Sequence, residues 1–281
     1  MLEQTTTFDW RTYLERIRYS HRLDLDAPEP SLPVLCALHQ AHLLAVPFEN
    51  LSIHYGQPIT LADEALYDKI VRRRRGGFCY ELNGLFAWLL RQLGFRVSLL
   101  SAEVAQSSGG FSPAFDHLTL RVHDLEGADW LADVGFGDSF RQPLRLRSDV
   151  EQDGGDGYRY RLCLEAGDSG DRAVETHTAY WLMQRRGQQA SSVSDWESRY
   201  RFTTQPHVMA DFDERCRYQQ TSPDSHFAQK RICSLALPDS ERITLSDLRL
   251  ITTTRGRRDE RDLASEDEYR SILAERFGII V

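Results

Sequence analysis

Apolar residues recur at helical spacing through the first third of the chain and give way to strand-like alternation after about residue 95. In DWRTYLERIRYS, Trp10, Tyr13, Leu14 and Ile17 fall on one face, which predicts a helix. A second helix runs from Ser31 towards Leu44, with Leu32, Leu35, Cys36 and Leu43 inward. It closes before Pro47, since the residue preceding a proline is pushed out of the α region. Thr60 and Asp63 have capping-box spacing and predict the start of a third helix carrying Leu66 and Ile70. A fourth follows Cys79, where Leu82, Leu85, Phe86, Leu89, Leu90 and Leu93 share a helical period and Gly94 is the stop.

The segments FRVSLLSAEV, HLTLRVHDL, DWLADVGF and GYRYRLCLEA are short, β-branched or alternating, and separated by Gly, Asp and Ser clusters. They predict a meandering β region from about Phe95 to Phe202, with EQDGGDG near residue 151 as an acidic turn or loop. Beyond it, KRICSLAL and RITLSDLRLITTT read as two more strands. EDEYRSILAERFG reads as a final helix with Ile272, Leu273 and Phe277 inward. Helices, then strands, then both make this an α+β chain.

Composition narrows the function classes. With 281 residues, 27% charged and 41% hydrophobic, the chain has ordinary globular composition. A formal net charge of −8 gives no electrostatic footprint for nucleic acid, and any polyphosphate ligand needs a local site. MLEQTTTFDW lacks the basic and apolar regions of a signal peptide, and no apolar run is long enough to span a bilayer. The five cysteines, Cys36, Cys79, Cys163, Cys216 and Cys233, are scattered and contain no CxxC. That pattern argues against a disulfide framework or a metal site and predicts a cytoplasmic protein.

Cys79 has the most informative context. In RGGFCYELNGLF (75–86) it stands between a glycine pair and the start of a helix. Unpaired N–H groups and the positive end of the helix dipole favour a thiolate there. Gly76 and Gly77 let the backbone approach whatever the sulfur attacks. The same stretch also describes a buried cysteine after a glycine-terminated helix, so the partners decide. Of the nine histidines, His39 and His42 lie three apart on a helix with no third ligand at metal-site spacing and read as packing or surface residues. His54 and His123 sit near turns, and His21, His177, His207 and His226 have no neighbouring pattern.

His117 opens the strand HLTLRV, and the turn DLEGAD leads on to WLADVGFG, which contains Asp133. In an antiparallel hairpin, residues whose numbers share a fixed sum face each other. For His117 and Asp133 that sum is 250, centred on residue 125 inside the turn. A shift of two keeps the pair diagonal on one face, whereas an odd shift separates them. Asp133 can then fix the tautomer of His117 while the other ring nitrogen faces Cys79, a nucleophile, base and orienter set. Read without that geometry, the three are a buried cysteine, a strand-end histidine and an aspartate in a glycine turn.

RGGFCYELNGLF, DHLTLRV and LADVGFGD together resemble the signature of the arylamine N-acetyltransferases. YLERI (13–17), VPFENLSIH (46–54), SRYRFTTQPHVMADF (198–212) and TSPDSHF (221–227) extend the likeness over nearly the whole chain. The resemblance implies a papain-like Cys-His-Asp site made of Cys79, His117 and Asp133. It implies a helical bundle over 1–94, an antiparallel β-barrel over 95–202, and an interdomain segment with an α/β lid over 203–281. It further implies ping-pong transfer from acetyl-CoA to arylamines or arylhydrazines, without a metal. Arg75 and Glu49 would form an ion pair that fixes the loop before Cys79, whereas Arg72 to Arg74 read as a solvated face. Phe48 and Phe136 would line an aromatic acceptor pocket, and Gly135 and Gly137 would let ligand approach the backbone beside Asp133. Departures from the family pattern are Thr119, and Asp138 in GFGD, which bears on the acyl donor's approach to that turn.

Three other readings stand beside this one. An amide synthase would use the same residues with a larger acyl donor. A papain-like hydrolase carries its histidine roughly 130–150 residues after the cysteine, against 38 here. A binding protein on an inherited fold would have no reason to keep all three side chains.

Overall fold

The computed structural model describes residues 8–19, 28–165, 179–188, 192, 195–254 and 257–281. Most of MLEQTTTFDW, together with His21 and His177, lies outside these residues. Helix α1 (Trp10–Arg16) is capped by the Asp9 side chain on Arg11 N–H, and α2 (Leu32–Ala45) follows Ser31 with a proline in its first turn. The inner face of α2 is Leu35, Leu38, His39 and His42, so both histidines are core residues. A two-residue strand β1 (Phe48–Glu49) and a short helix α3 (Leu51–His54) come next.

The third predicted helix starts later than its capping signal. Helix α4 (Asp63–Tyr67) has Ala62 at its N-cap and no side-chain cap. Thr60 lies outside it, because the Gln220 side chain bonds both Ile59 N–H (2.8 Å) and Ile59 C=O (3.1 Å) and holds that segment extended. The helix then widens into a π turn over Asp68–Arg72, with Ile70 fully buried. Helix α5 (Cys79–Gln92) is buried on almost every side over its first three turns, as befits a central helix rather than a surface one. Gly94 ends the segment at φ +86°, a left-handed stop that favours glycine.

Eight antiparallel strands form the central sheet: β2 (Val97–Val104), β3 (His117–Leu125), β4 (Ala128–Ala132), β5 (Leu144–Arg145), β6 (Gln152–Asp153), β7 (Tyr158–Glu165), β8 (Tyr180–Gly187) and β9 (Glu197–Phe202). Their order is β5-β4-β3-β2-β9-β8-β7-β6. The sheet curls into a nearly closed barrel. Its two edge strands meet through Gln152, whose amide bonds the N–H (2.7 Å) and C=O (3.0 Å) of Arg145. The acidic stretch near 151 therefore contains a strand as well as a turn. Leu100, Phe140, Tyr160, Leu162, Met183 and Phe202 fill the interior, and α5 packs against β2 and β3.

Helices α6 (Asp213–Thr221) and α7 (His226–Gln229) lead into a second sheet. It comprises β10 (Ile232–Ala236), β11 (Arg242–Ser246), β12 (Arg249–Thr254) and β13 (Arg257–Asp262), in the order β1-β10-β11-β12-β13. RITLSDLRLITTT is thus two strands rather than one. The chain turns at Asp247, which sits at φ +48° with its N–H on Arg231 C=O. The last helix, α8 (Glu266–Phe277), buries Tyr269, Ile272, Leu273 and Phe277 against this sheet. Among the described residues no helix is long and apolar enough to cross a membrane.

Candidate active site

Cys79 is the first residue of α5 and is buried. The turn is set by Glu81, whose carboxylate reaches back to Phe78 N–H (3.1 Å) and pairs with Lys69 Nζ (2.7 Å) in the core. Burial pushes the Cys79 thiol well above its ordinary value. A backbone hydrogen bond from Leu118 opposes the rise, and the negative charges of Asp116 and Asp133 add to it. A helix end contributes about 0.3–1 kcal/mol at exposed sites and up to about 2 kcal/mol in partly buried ones, and it acts against that desolvation. The helix end and burial thus act in opposite directions on the thiolate, and a neighbouring base would favour its formation.

His117 and Asp133 supply a candidate. Strands β3 and β4 pair Leu120 with Ala132, Arg121 with Leu131 and Val122 with Trp130, so opposed numbers add to 252 rather than 250, with a bulge between Val122 and Leu125. The shift is even, so the two side chains stay on one face. His117 Nε2 lies 2.7 Å from Asp133 Oδ2, with both residues buried. That contact leaves Nδ1 as the nitrogen available to a sulfur. Cys79 and His117 line one cavity of about 470 Å³, together with Phe48, Gly135, Phe136 and Phe227.

Asp133 is held on every side. Burial alone would raise its carboxyl, but His117, Asn83 and the Gly135 N–H hold it below the ordinary carboxylate value. Asn83 Nδ2 donates to Asp133 Oδ1 (2.9 Å) and Leu118 C=O (2.6 Å), while its oxygen accepts Val134 N–H (2.9 Å). The Asp133 N–H itself donates to His39 Nε2 (3.1 Å). The Tyr200 ring lies tilted by 50° against His117 with 5.2 Å between centroids, and burial followed by the charge of Asp133 and a hydrogen bond to it hold the phenol far above its usual range. Tyr80 O–H bonds the carbonyls of Phe115 (2.9 Å) and Asp116 (3.2 Å), just before His117.

Sequence reading assigned no role to Asn83, His39, Tyr200 or Tyr80. Asn83 had a visible signal: it lies four residues after Cys79, hence on the same helix face, and is a poor helix former in an apolar stretch. The contacts of His39 and Tyr200 are long-range and left no local trace.

Arg75 and Glu49 form a buried pair (2.8 Å), and Glu49 also accepts Leu51 N–H (2.7 Å), which ties the loop before Cys79 to β1. The glycines there are required by the packing of the chain itself. A Cβ on Gly76 would meet Pro47 O at 2.0 Å, and one on Gly77 would meet the Glu81 side chain at 2.8 Å. Gly137 adopts φ +86° against the Phe48 ring. The Asp138 carboxylate is held by Arg185 (3.0 Å) and Arg242 (3.3 Å). Thr119 bonds Ala132 C=O (3.3 Å) inside the barrel. Among the described residues no cluster of side chains could hold a metal ion.

A profile of the N-acetyltransferase family matches residues 31–281. The arylamine N-acetyltransferase pineal gland isozyme NAT-3 of Gallus gallus is 35% identical, over 96% of this chain and 94% of its own. An arylamine N-acetyltransferase / N-hydroxyarylamine O-acetyltransferase of Salmonella typhimurium is 33% identical, over 89% of this chain and 83% of its own. The solved structure of the arylamine N-acetyltransferase from Salmonella typhimurium aligns with a TM-score of 0.83 at 30% identity, covering 98% of this chain and 92% of that one. The Mycobacterium marinum arylamine N-acetyltransferase, solved in complex with CoA, aligns at 0.80 with 33% identity, covering 96% and 93%. Fold and family together make the protein an enzyme of the acyltransferase class. Within that class, the chain belongs to the arylamine N-acetyltransferase family.

Proposed function

We propose that Cys79 carries an acetyl group from acetyl-CoA to the amino group of an arylamine or arylhydrazine by a ping-pong route. The observation that carries this reading is the buried 2.7 Å contact between His117 Nε2 and Asp133, made beside a cavity that His117 shares with Cys79. The acyl donor is supported by the CoA complex of the Mycobacterium marinum relative. In the first half-reaction His117 Nδ1 takes the thiol proton and the sulfur bonds the acetyl carbon. The bond to the CoA sulfur then breaks, and the proton leaves with CoA. In the second, the amine nitrogen bonds the same carbon, the bond to Cys79 breaks, and the amine proton passes through His117 to the released sulfur. Asp133 stabilises the imidazolium in both. The Cys79 N–H, one of those that a helix start leaves without an intrahelical partner, would serve as a donor to the oxyanion.

The order of helices, an eight-stranded sheet and a second sheet supports division into a helical unit over 1–94, a barrel over 95–202 and a C-terminal unit over 203–281. The largest core cluster crosses both boundaries, joining the helices to Leu99, Leu118 and Leu120 and to Phe212 and Cys216. All five cysteines are free thiols, which supports a reducing compartment such as the cytoplasm. Phe48, Phe136 and Phe227 give the cavity an apolar wall suited to an aromatic acceptor.

The test is intact-protein mass spectrometry after mixing with acetyl-CoA and no amine. One acetyl adduct on Cys79, discharged by an aryl amine, is the expected result. It should be absent in Cys79→Ala and form about 10³–10⁴-fold more slowly in Asp133→Asn, which imposes the wrong tautomer. No adduct on a cysteine that still alkylates would exclude acetyl-CoA as donor and point to a larger acyl group.

A further inference from the structure

We propose that His39 is a positioning residue for the carboxylate of this site, an imidazole that clamps both ends of the turn 133–141. The inference rests on Asp133 serving His117 as proposed above. The turn begins where β4 ends and carries Asp133, Gly135, Phe136 and Asp138. At its start the Asp133 N–H donates to His39 Nε2 at 3.1 Å, and at its end Arg141 C=O lies 3.1 Å from His39 Nδ1. One nitrogen must therefore accept while the other donates, which fixes a single neutral tautomer with the proton on Nδ1. Burial depresses the His39 imidazole to about 4, so the ring keeps its acceptor edge at neutral pH.

The ring is locked as well as bonded. It is fully buried, stacks on Phe140 (5.7 Å between centroids, 8° between planes) and meets the edge of Phe86 at 6.1 Å. Phe140 belongs to the same turn, so the imidazole holds that turn by two hydrogen bonds and one stacked face. The Arg141 guanidinium continues the path, donating to the carbonyls of Leu237 and Glu241 between β10 and β11. His39 thus joins α2 to the turn and, through Arg141, to the second sheet. A glutamine amide carries its donor and acceptor at the same end of the side chain, so it can serve one end of the turn but not both. A leucine serves neither.

Displacing a reacting group by about 1 Å costs on the order of 10²-fold in rate. His39→Leu should lower kcat of acetyl transfer by that order, with much smaller changes in both KM values. The variant should also shift the pH profile of Cys79 alkylation towards that of Asp133→Asn, and His39→Gln should fall between. A purely structural residue would lower the melting temperature and leave the alkylation profile of the folded fraction unmoved, and that outcome overturns the inference. Should His39→Leu fail to fold, nitrogen-15 histidine spectra of the wild-type protein decide. A proton on Nδ1 and a bonded, unprotonated Nε2 are expected, and the opposite tautomer excludes the clamp. Asp133→Asn is measured alongside. If it too matches wild type, the proposed site is wrong and the clamp falls with it. If Asp133→Asn is disabled and folded His39→Leu is not, only the clamp falls.

Discussion

A carboxylate as deeply buried as Asp133 stays ionised only while its neighbours outweigh the loss of water. Asn83, the Gly135 N–H and His117 do so, and keep it below its ordinary value of 3.8. Stability from the ionised carboxylate is therefore present above that value and lost as pH falls through the lower folded one. Asn83→Ala removes one of the donors and leaves Val134 N–H and Leu118 C=O without their partner. Each buried orphan costs about 1–3 kcal/mol, so urea titration should show a loss on the order of 3 kcal/mol. Because the charged form of Asp133 loses a donor, the acid limb of the rate profile should move to higher pH, and an unmoved limb would argue against this role for Asn83.

At the scale of elements, the first turn of α5 and the turn after β4 touch at Gly135. A Cβ there would lie 2.9 Å from the Cys79 Cα and carbonyl oxygen, and 2.7 Å from Asn83 Nδ2. Gly135→Ala should push nucleophile and carboxylate apart, with overpacking costing about 1–3 kcal/mol. Calorimetry should show a melting point lowered by several degrees, and acetyl transfer should fall further than stability does. Periodicity made much of this scale legible: α5, α8 and the full span of β3 follow from the apolar pattern, although only α8 buries a single stripe and α5 and β3 are buried on more than one face. Strand β13, RRDERD, is exposed along its whole length and offers no apolar face to read. The β3–β4 register was legible only to within an even step, because the bulge near Leu125 depends on the turn's own geometry. The clamp on Asp133 joins residues 94 apart in sequence, and no local pattern encodes such a contact.

Across the whole molecule, two buried histidines make acid the weak side. Burial lowers His39 to about 4 and His42 well below its ordinary 6.5. The unfolded chain therefore binds more protons, and stability falls as pH drops below 6.5. For His39 alone the loss approaches about 3 kcal/mol by its folded value. Urea midpoints measured from pH 7 down to about 4 should decline over that window, and a flat profile would contradict the buried, neutral state of both rings. The two-residue strand β1 has a consequence of another kind. Phe48 and Glu49 bridge to Gly77 within the first third of the chain, but their sheet pairing, Phe48 with Ser234 and Glu49 with Cys233, waits for a strand made much later. At a synthesis rate of roughly 5–20 residues per second, that wait is on the order of 10–40 s. A nascent chain halted before β10 would already contain Cys79, His117 and Asp133 and the contacts of β1 with Gly77 and Arg75, yet lack the second strand that covers Phe48 and Glu49. The order of birth along the ribosome thus differs from the order of assembly, and the pocket is among the last parts to close.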